Sequence, residues 1–166
     1  MDLVLVRHGI AEERGPGVDD FGRRLTPAGR ARMEEAARGL GRLVTPQVVF
    51  SSPLTRAMET AEILRERFGL GRVRTCAALA SPEYASVLEA VAEADAEVAA
   101  LVGHEPWMGE LLSYLLTGDP GLAAVTFKKG GAALVRSAGE PEPGSCWLEW
   151  LVPPGVLRRL GAAKAD

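Results

Sequence analysis

Three short apolar runs in this chain end abruptly in polar residues. Leu3–Val6 stops at Arg7-His8-Gly9, Val48–Phe50 at Ser51-Ser52, and Val98–Val102 at Gly103-His104-Glu105. Unbroken β-branched and leucine runs bounded by polar residues predict strands buried on both faces. Between them the apolar period becomes helical. Thr26-Pro27 supplies an N-cap and a proline at the first helical position, and Met33, Ala36, Ala37, Leu40 and Leu43 follow at helical spacing, so a helix is expected to about Leu43. Ser51-Ser52-Pro53 predicts a second capped helix that ends at Phe68, with Gly69 as its C-cap.

Farther along, residues 72–76 predict a third strand, Glu83 to about Ala94 a helix, and Pro106 the start of another helix ending near Thr117-Gly118. Ala132–Arg136 and Cys146–Val152 read as two strands, and the turn-rich "SAGEPEPGS" between them suits an antiparallel pair. Residues 9–25 are rich in glycine and charge and form a long loop, a length that in a compact domain is usually functional or disordered. Strands alternating with helices and ending in a hairpin predict an α/β three-layer sandwich. No internal repeat, linker or low-complexity segment divides the chain, so residues 1–166 are expected to form a single domain.

Composition narrows the function classes. Apolar residues make up 47% and charged residues 25% of 166, ordinary for a soluble globular protein. A net charge of −3 argues against a nucleic-acid partner. No run approaches the roughly 18 apolar residues of a membrane span, and the first apolar run is too short for a signal peptide, so a cytoplasmic location is expected. Cys76 and Cys146 fit no metal or redox spacing and read as buried free thiols.

The chemistry gathers at the strand ends. Ligands of open α/β sheets bind beyond the carboxyl ends of the strands. Arg7-His8-Gly9, Ser51-Ser52 with Arg56, and Gly103-His104-Glu105 all fall there. Two arginines beside helix N-termini make a pocket for a small, strongly negative group, and phosphate matches the guanidinium fork. A histidine in such a pocket can attack phosphorus through a neutral ring nitrogen if an acceptor holds its other N–H. That role suits His8, with Gly9 letting the backbone fold tightly beside the ring. His104 is expected to act as a cation that helps the arginines hold the phosphoryl oxygens. Each feature has a blander reading: a structural histidine, a solvated Arg56, a mere turn at "GHEP". Their joint occurrence at equivalent strand ends outweighs those readings. The arginines of the early loop read, on their own, as surface residues.

"LVLVRHG", "SSPLTRAMETAEIL" and "AALVGHEP", in this order, resemble the histidine phosphatase (phosphoglycerate-mutase-like) superfamily. "DFGRRLTPAGR" and "FKKGGAALV" are similar to further segments of that family, and the resemblance covers nearly the whole chain. It implies a mostly parallel mixed sheet of about six strands with one antiparallel strand and helices on both faces. It implies that His8 is the nucleophile, that Arg7, Arg56 and His104 complete the phosphate pocket, and that Gly9 and Arg23 border the substrate. It also implies no metal and no dissociable cofactor. The short chain is most similar to the branch of bacterial phosphohistidine phosphatases, whose partners are histidine-phosphorylated signalling domains.

One departure bears on the substrate. Larger relatives carry an acidic residue after the third strand as general acid, but here "CAALASPEYASVLEAV" has no acid before Glu83. An alkoxide leaving group needs protonation far more than an imidazole does. The preferred expectation is therefore a phosphatase of protein phosphohistidine, with Glu83 as the candidate acid for the alternative, a small phosphomonoesterase acting on a metabolite. A phosphate-binding module without turnover would have no use for the nucleophile. A mutase would need more chain to enclose a bisphosphate. The oligomeric state is not legible from the residues.

Overall fold

The computed structural model describes residues 1–163. Six strands and five α-helices follow in the order β1 (Asp2–Arg7), α1 (Pro27–Leu40), β2 (Val48–Ser51), α2 (Thr55–Phe68), β3 (Arg74–Thr75), α3 (Tyr84–Ala92), β4 (Val98–Gly103), α4 (Trp107–Thr117), β5 (Ala132–Arg136), β6 (Trp147–Val152) and α5 (Pro154–Ala162). The six strands form one sheet in the order β3-β2-β4-β1-β5-β6. β1 to β4 run parallel, and β5 alone opposes its neighbours β1 and β6. The α/β architecture, the six-stranded mixed sheet and the single opposed strand match the expectation.

Each strand of the centre is apolar on both faces because both faces are covered. Leu3, Leu5, Phe50 and Leu101 pack with α3 and α4 through Val87, Val91, Leu111, Leu112 and Leu115. Val4, Val6, Val49, Ala100 and Val102 pack instead with α1, α2 and α5 through Met33, Leu40, Ala61, Leu64 and Leu157. The pleat thus sends alternate residues of one run into two cores. Leu101 is wholly buried, and truncation to alanine at such a site costs about 2–5 kcal/mol.

Several boundaries differ from the pattern. α1 ends at Leu40 rather than near Leu43, because the chain turns there with Arg42 N–H on Gly39 O and Leu43 N–H on Leu40 O. The serines before α2 do not cap it: Leu54 occupies the N-cap position without a side-chain bond, and Ser52 is used elsewhere. Gly69, at φ 63°, does close α2. β3 shrinks to two exposed residues, and Cys146 lies just outside β6. In β6 the partner of Leu134 is Trp150 and that of Val135 is Leu148, so Glu149 bulges out and the apolar alternation shifts. Both cysteines are buried and free.

The apolar pattern predicts no helix after β6, where Pro153, Pro154, Gly155 and Gly161 are of types that disfavour a helix interior. Pro154 instead sits in the first turn, where proline is tolerated. Gly161 and Gly39 are what let α5 lie on α1. A Cβ on Gly39 would come within 1.8 Å of Leu157 O, and one on Gly161 within 2.5 Å of Glu35 O. Backbone meets backbone there.

The register aligns the strand ends. Arg7 pairs with Gly103 and Ser51 with Val102, while the N–H groups of His8 and Ser52 bond Gly103 O and Val102 O at 3.1 and 3.0 Å. His8, Ser52 and His104 therefore leave the sheet side by side on its carboxyl edge.

Candidate active site

A cleft of about 710 Å³ opens at that edge, lined by Arg7, His8, Arg23, Arg56 and His104 among others. The ring centroids of the two histidines lie 5.0 Å apart. His8, Arg23, Arg56 and His104 are all buried, and Arg7 is half-buried. The structure thus brings the four expected pocket residues and Arg23 together.

His8 follows β1, and its Nδ1 lies 2.7 Å from Gly9 O. A carbonyl can only accept, so the proton is on Nδ1 and the lone pair is on Nε2. Arg56 Nε donates to that Nε2 at 3.3 Å, as the same assignment requires. Gly9 itself does not line the cleft. It contributes its carbonyl, and its N–H donates to Thr60 Oγ1 at 3.1 Å. Thr60 Oγ1 in turn donates to Arg56 O at 2.7 Å. One buried hydroxyl on α2 ties the nucleophile's loop to the helix that carries Arg56.

His104 follows β4, and its Nε2 lies 2.5 Å from Ser52 Oγ. The Ser52 hydroxyl can donate to Nε2, leaving the proton on Nδ1. Among the described residues, His104 Nδ1 and Arg7 Nε are buried without a hydrogen-bond partner. Arg7 Nη1 donates to Phe127 O at 2.5 Å. Glu105 accepts from Phe127 N–H, so that Phe127 is gripped from both sides. Two buried nitrogens without protein partners, in a pocket lined by arginines, suit a multi-oxygen anion.

The field of the pocket acts on both rings. Burial, followed by the charge of the neighbouring His104, pushes His8 down to about 3. Burial and then Arg56 push His104 down to about 3 as well. Both rings are thus held toward the neutral form, so the cationic role expected of His104 during transfer calls for the charge of an anion beside it. Burial and the three guanidinium groups near the ring disfavour a positive charge there, Asp20 opposes them in part, and a bound anion shifts the balance further toward the cation.

Glu83 is not brought to the cleft. It is exposed at the N-terminus of α3, whereas Ala80 of the short 3₁₀ turn Ala77–Ala80 lines the wall. The cleft has other carboxylates: Glu105, from the Gly103-His104-Glu105 cluster, and Glu12, Glu13 and Asp20 of the early loop. Glu12 accepts from Arg24 N–H at 3.0 Å, and Glu105 is held by Phe127. Although burial opposes it, Arg56, Arg23 and Arg14 hold the Asp20 carboxyl below its ordinary range. Ser52 and Asp20 stand in stretches the sequence singles out, but their partners His104 and Arg56, like the Gly9 partner of Thr60, lie too far along the chain to be read from it. Among the described residues, no group of three or more His, Cys, Asp or Glu is placed to hold a metal ion, and no helix is long and apolar enough to cross a membrane.

Residues 3–84 match the family model of the histidine phosphatase superfamily (branch 1). An uncharacterised protein of Picosynechococcus sp. is 32% identical over 142 residues, covering 82% of this chain and 86% of the relative. The solved structure of the protein histidine phosphatase SixA complexed with tungstate is similar at a TM-score of 0.78 and 25% identity, over 95% of this chain and 99% of that one. A mycobacterial glucosyl-3-phosphoglycerate phosphatase complexed with VO3 shares the fold at a TM-score of 0.70 and 21% identity, over 92% of this chain and 99% of that one. The matched segment contains Arg7, His8 and Arg56, and the fold places His104 against them: the chain belongs to the histidine phosphatase superfamily and is a phosphatase of that type.

Proposed function

We propose that this phosphatase removes the phosphoryl group from phosphohistidine on a protein, through a covalent intermediate on His8. The observation that carries the reading is the pair of bonds that fixes the His8 tautomer, Nδ1–H on Gly9 O and a lone pair on Nε2 beneath Arg56. Nε2 attacks phosphorus, the new P–N bond forms, and the substrate's own P–N bond breaks as its imidazole leaves with a proton from solvent. Water then attacks the phosphorylated His8, releasing phosphate and restoring the free ring. Arg7, Arg56 and His104 hold the phosphoryl oxygens while charge redistributes. As the dianion binds, it draws the His104 pKa upward, and the ring gains its proton on the substrate rather than before it.

The leaving group decides the substrate class. Glu83 stands outside the cleft, and Asp20, Glu12 and Glu105 are all occupied as acceptors. The imidazole of phosphohistidine departs without a strong acid. The structure with tungstate belongs to a protein histidine phosphatase, which supports the same reading. The alternative is a metabolite phosphomonoesterase. Glu13 favours it, because this exposed carboxylate lines the cleft and makes no hydrogen bond among the described residues.

The test is kcat/KM on a histidine-phosphorylated protein beside a series of phosphomonoesters of rising leaving-group pKa. A steep fall along the series, with phosphohistidine best and Glu83→Gln without effect, is expected. A shallow dependence that Glu13→Gln or Glu83→Gln makes steep would replace this reading with the metabolite phosphatase.

A further inference from the structure

The cleft contains a carboxylate in a position where a phosphatase would be expected to avoid one. Asp20 Oδ1 accepts from Arg14 Nε and Arg23 Nε, each at 2.9 Å, and lies 2.9 Å from Arg23 Nη2. Its Oδ2 lies 3.3 Å from Arg56 Nη2, and its backbone oxygen accepts from Arg56 Nη1 at 2.7 Å. Three arginines thus converge on one side chain that is itself 46% exposed, while Arg23 and Arg56 are 8% and 3% exposed. Arg56 is the same group that touches His8 Nε2, so Asp20 stands one guanidinium away from the reacting nitrogen.

We propose that Asp20 is a positioning residue that serves as the resident counter-anion of the phosphoryl pocket. It holds Arg56 and Arg23 aimed and neutralised before substrate arrives, and it repels the phosphate left after hydrolysis. The inference rests on the reading of this cleft as a phosphoryl site, but on no particular leaving group. The charge inventory supports it. Five cationic side chains line the cleft (Arg7, Arg14, Arg23, Arg56 and Lys129) against the four carboxylates of Glu12, Glu13, Asp20 and Glu105. Both histidines are neutral when it is empty, so the net charge is small. Without Asp20 the two buried arginines would face each other with their nearest counter-charge removed, and an inorganic phosphate dianion would take its place. Tight product binding and slow turnover would follow.

The aspartate beside it provides the control. Asp19 accepts from the N–H groups of Phe21 and Gly22 at 3.1 and 3.2 Å and, among the described residues, pairs with no arginine. It shapes the same turn without charging the pocket.

The experiment measures the inhibition constant of inorganic phosphate, its direct binding by calorimetry, and kcat and KM on an aryl phosphate. Wild type is compared with Asp20→Asn, Asp20→Glu and Asp19→Asn. Asp20→Asn should bind phosphate about tenfold more tightly, the repulsion expected between a dianion and a carboxylate ~6 Å apart at nearly aqueous dielectric. Its kcat should fall at the same time, because release is slower and Arg56 is held less firmly. Asp20→Glu keeps the charge and should stay near the wild-type phosphate constant, which tests the idea even if Asp20→Asn folds poorly. Asp19→Asn should leave phosphate binding unchanged. Phosphate binding that is unaltered or weaker in Asp20→Asn, or equally changed in Asp19→Asn, overturns the counter-anion role and makes Asp20 a loop-shaping residue. A wild type that binds no phosphate at all would remove the phosphoryl-site reading itself, a separate failure.

Discussion

Replacing Thr60 by valine removes one hydroxyl from a wholly buried site while keeping the side chain's shape. Two bonds go with it: the acceptor for Gly9 N–H at 3.1 Å and the donor to Arg56 O at 2.7 Å. The second loss is mild, because a helical carbonyl keeps its intrahelical partner. The first leaves a buried backbone N–H without an acceptor, which costs about 1–3 kcal/mol. At roughly 2–4 °C per kcal/mol for a chain of this size, the melting temperature should fall by about 2–12 °C. The functional effect comes through Gly9, whose carbonyl fixes the proton on His8 Nδ1. With Gly9 loosened, the reactive tautomer is less firmly held and kcat should drop about tenfold, the worth of about 1.4 kcal/mol at the barrier. Thr60→Ser keeps the hydroxyl and should retain nearly full kcat while losing only the stability of one buried methyl. Thermal melts of the three proteins without phosphate, and kcat on an aryl phosphate under saturation, make the comparison. A valine variant that melts with wild type and turns over at its rate would refute the link from Thr60 to the nucleophile. So would a serine variant as impaired as the valine one.

Two further outcomes follow from the same geometry. His8→Ala should abolish turnover and covalent labelling while phosphate still binds through the arginines, and His104→Ala should slow catalysis about 10²–10³-fold; rapid turnover by His8→Ala in a labelled-phosphate assay would exclude His8 as nucleophile. Because both histidines are held at about 3 in the fold, against an ordinary 6.5, the unfolded chain binds more protons between those values, and stability should fall as pH drops through that window and be insensitive to these groups above it. Urea midpoints at pH 7.5 and 4.5 should therefore drop less in His8→Asn than in wild type, and an equal drop in both would contradict the burial argument.

The strands, the mostly parallel sheet and the edge at which chemistry gathers were legible in the residues. A strand covered on both faces must be apolar throughout, so its end shows as a sudden polar residue, and β-α connections bring those ends to one side of the sheet. Hence Arg7, His8, Arg56 and His104 could be placed together from the pattern of Leu3–Val6, Val48–Phe50 and Val98–Val102. Helix α5 was hidden because proline and glycine read as breakers until α1 is present to accept the close backbone approach at Gly39 and Gly161. The supporting hydrogen bonds were hidden for a related reason. Thr60 meets Gly9 across 51 positions and Ser52 meets His104 across 52, so the serine expected to cap α2 fixes a ring instead. The charge states also belong to the folded molecule alone. Sequence can name a histidine, but burial among Arg7, Arg23 and Arg56 is what holds His104 toward its neutral form, and the three arginines around Asp20 are what hold its carboxyl below the ordinary range. Local residue order determined which groups reach the sheet edge, because strand periodicity is a property of neighbours. Tertiary packing decided what each group can do there, because proton affinity and hydrogen-bond choice depend on what surrounds it in space.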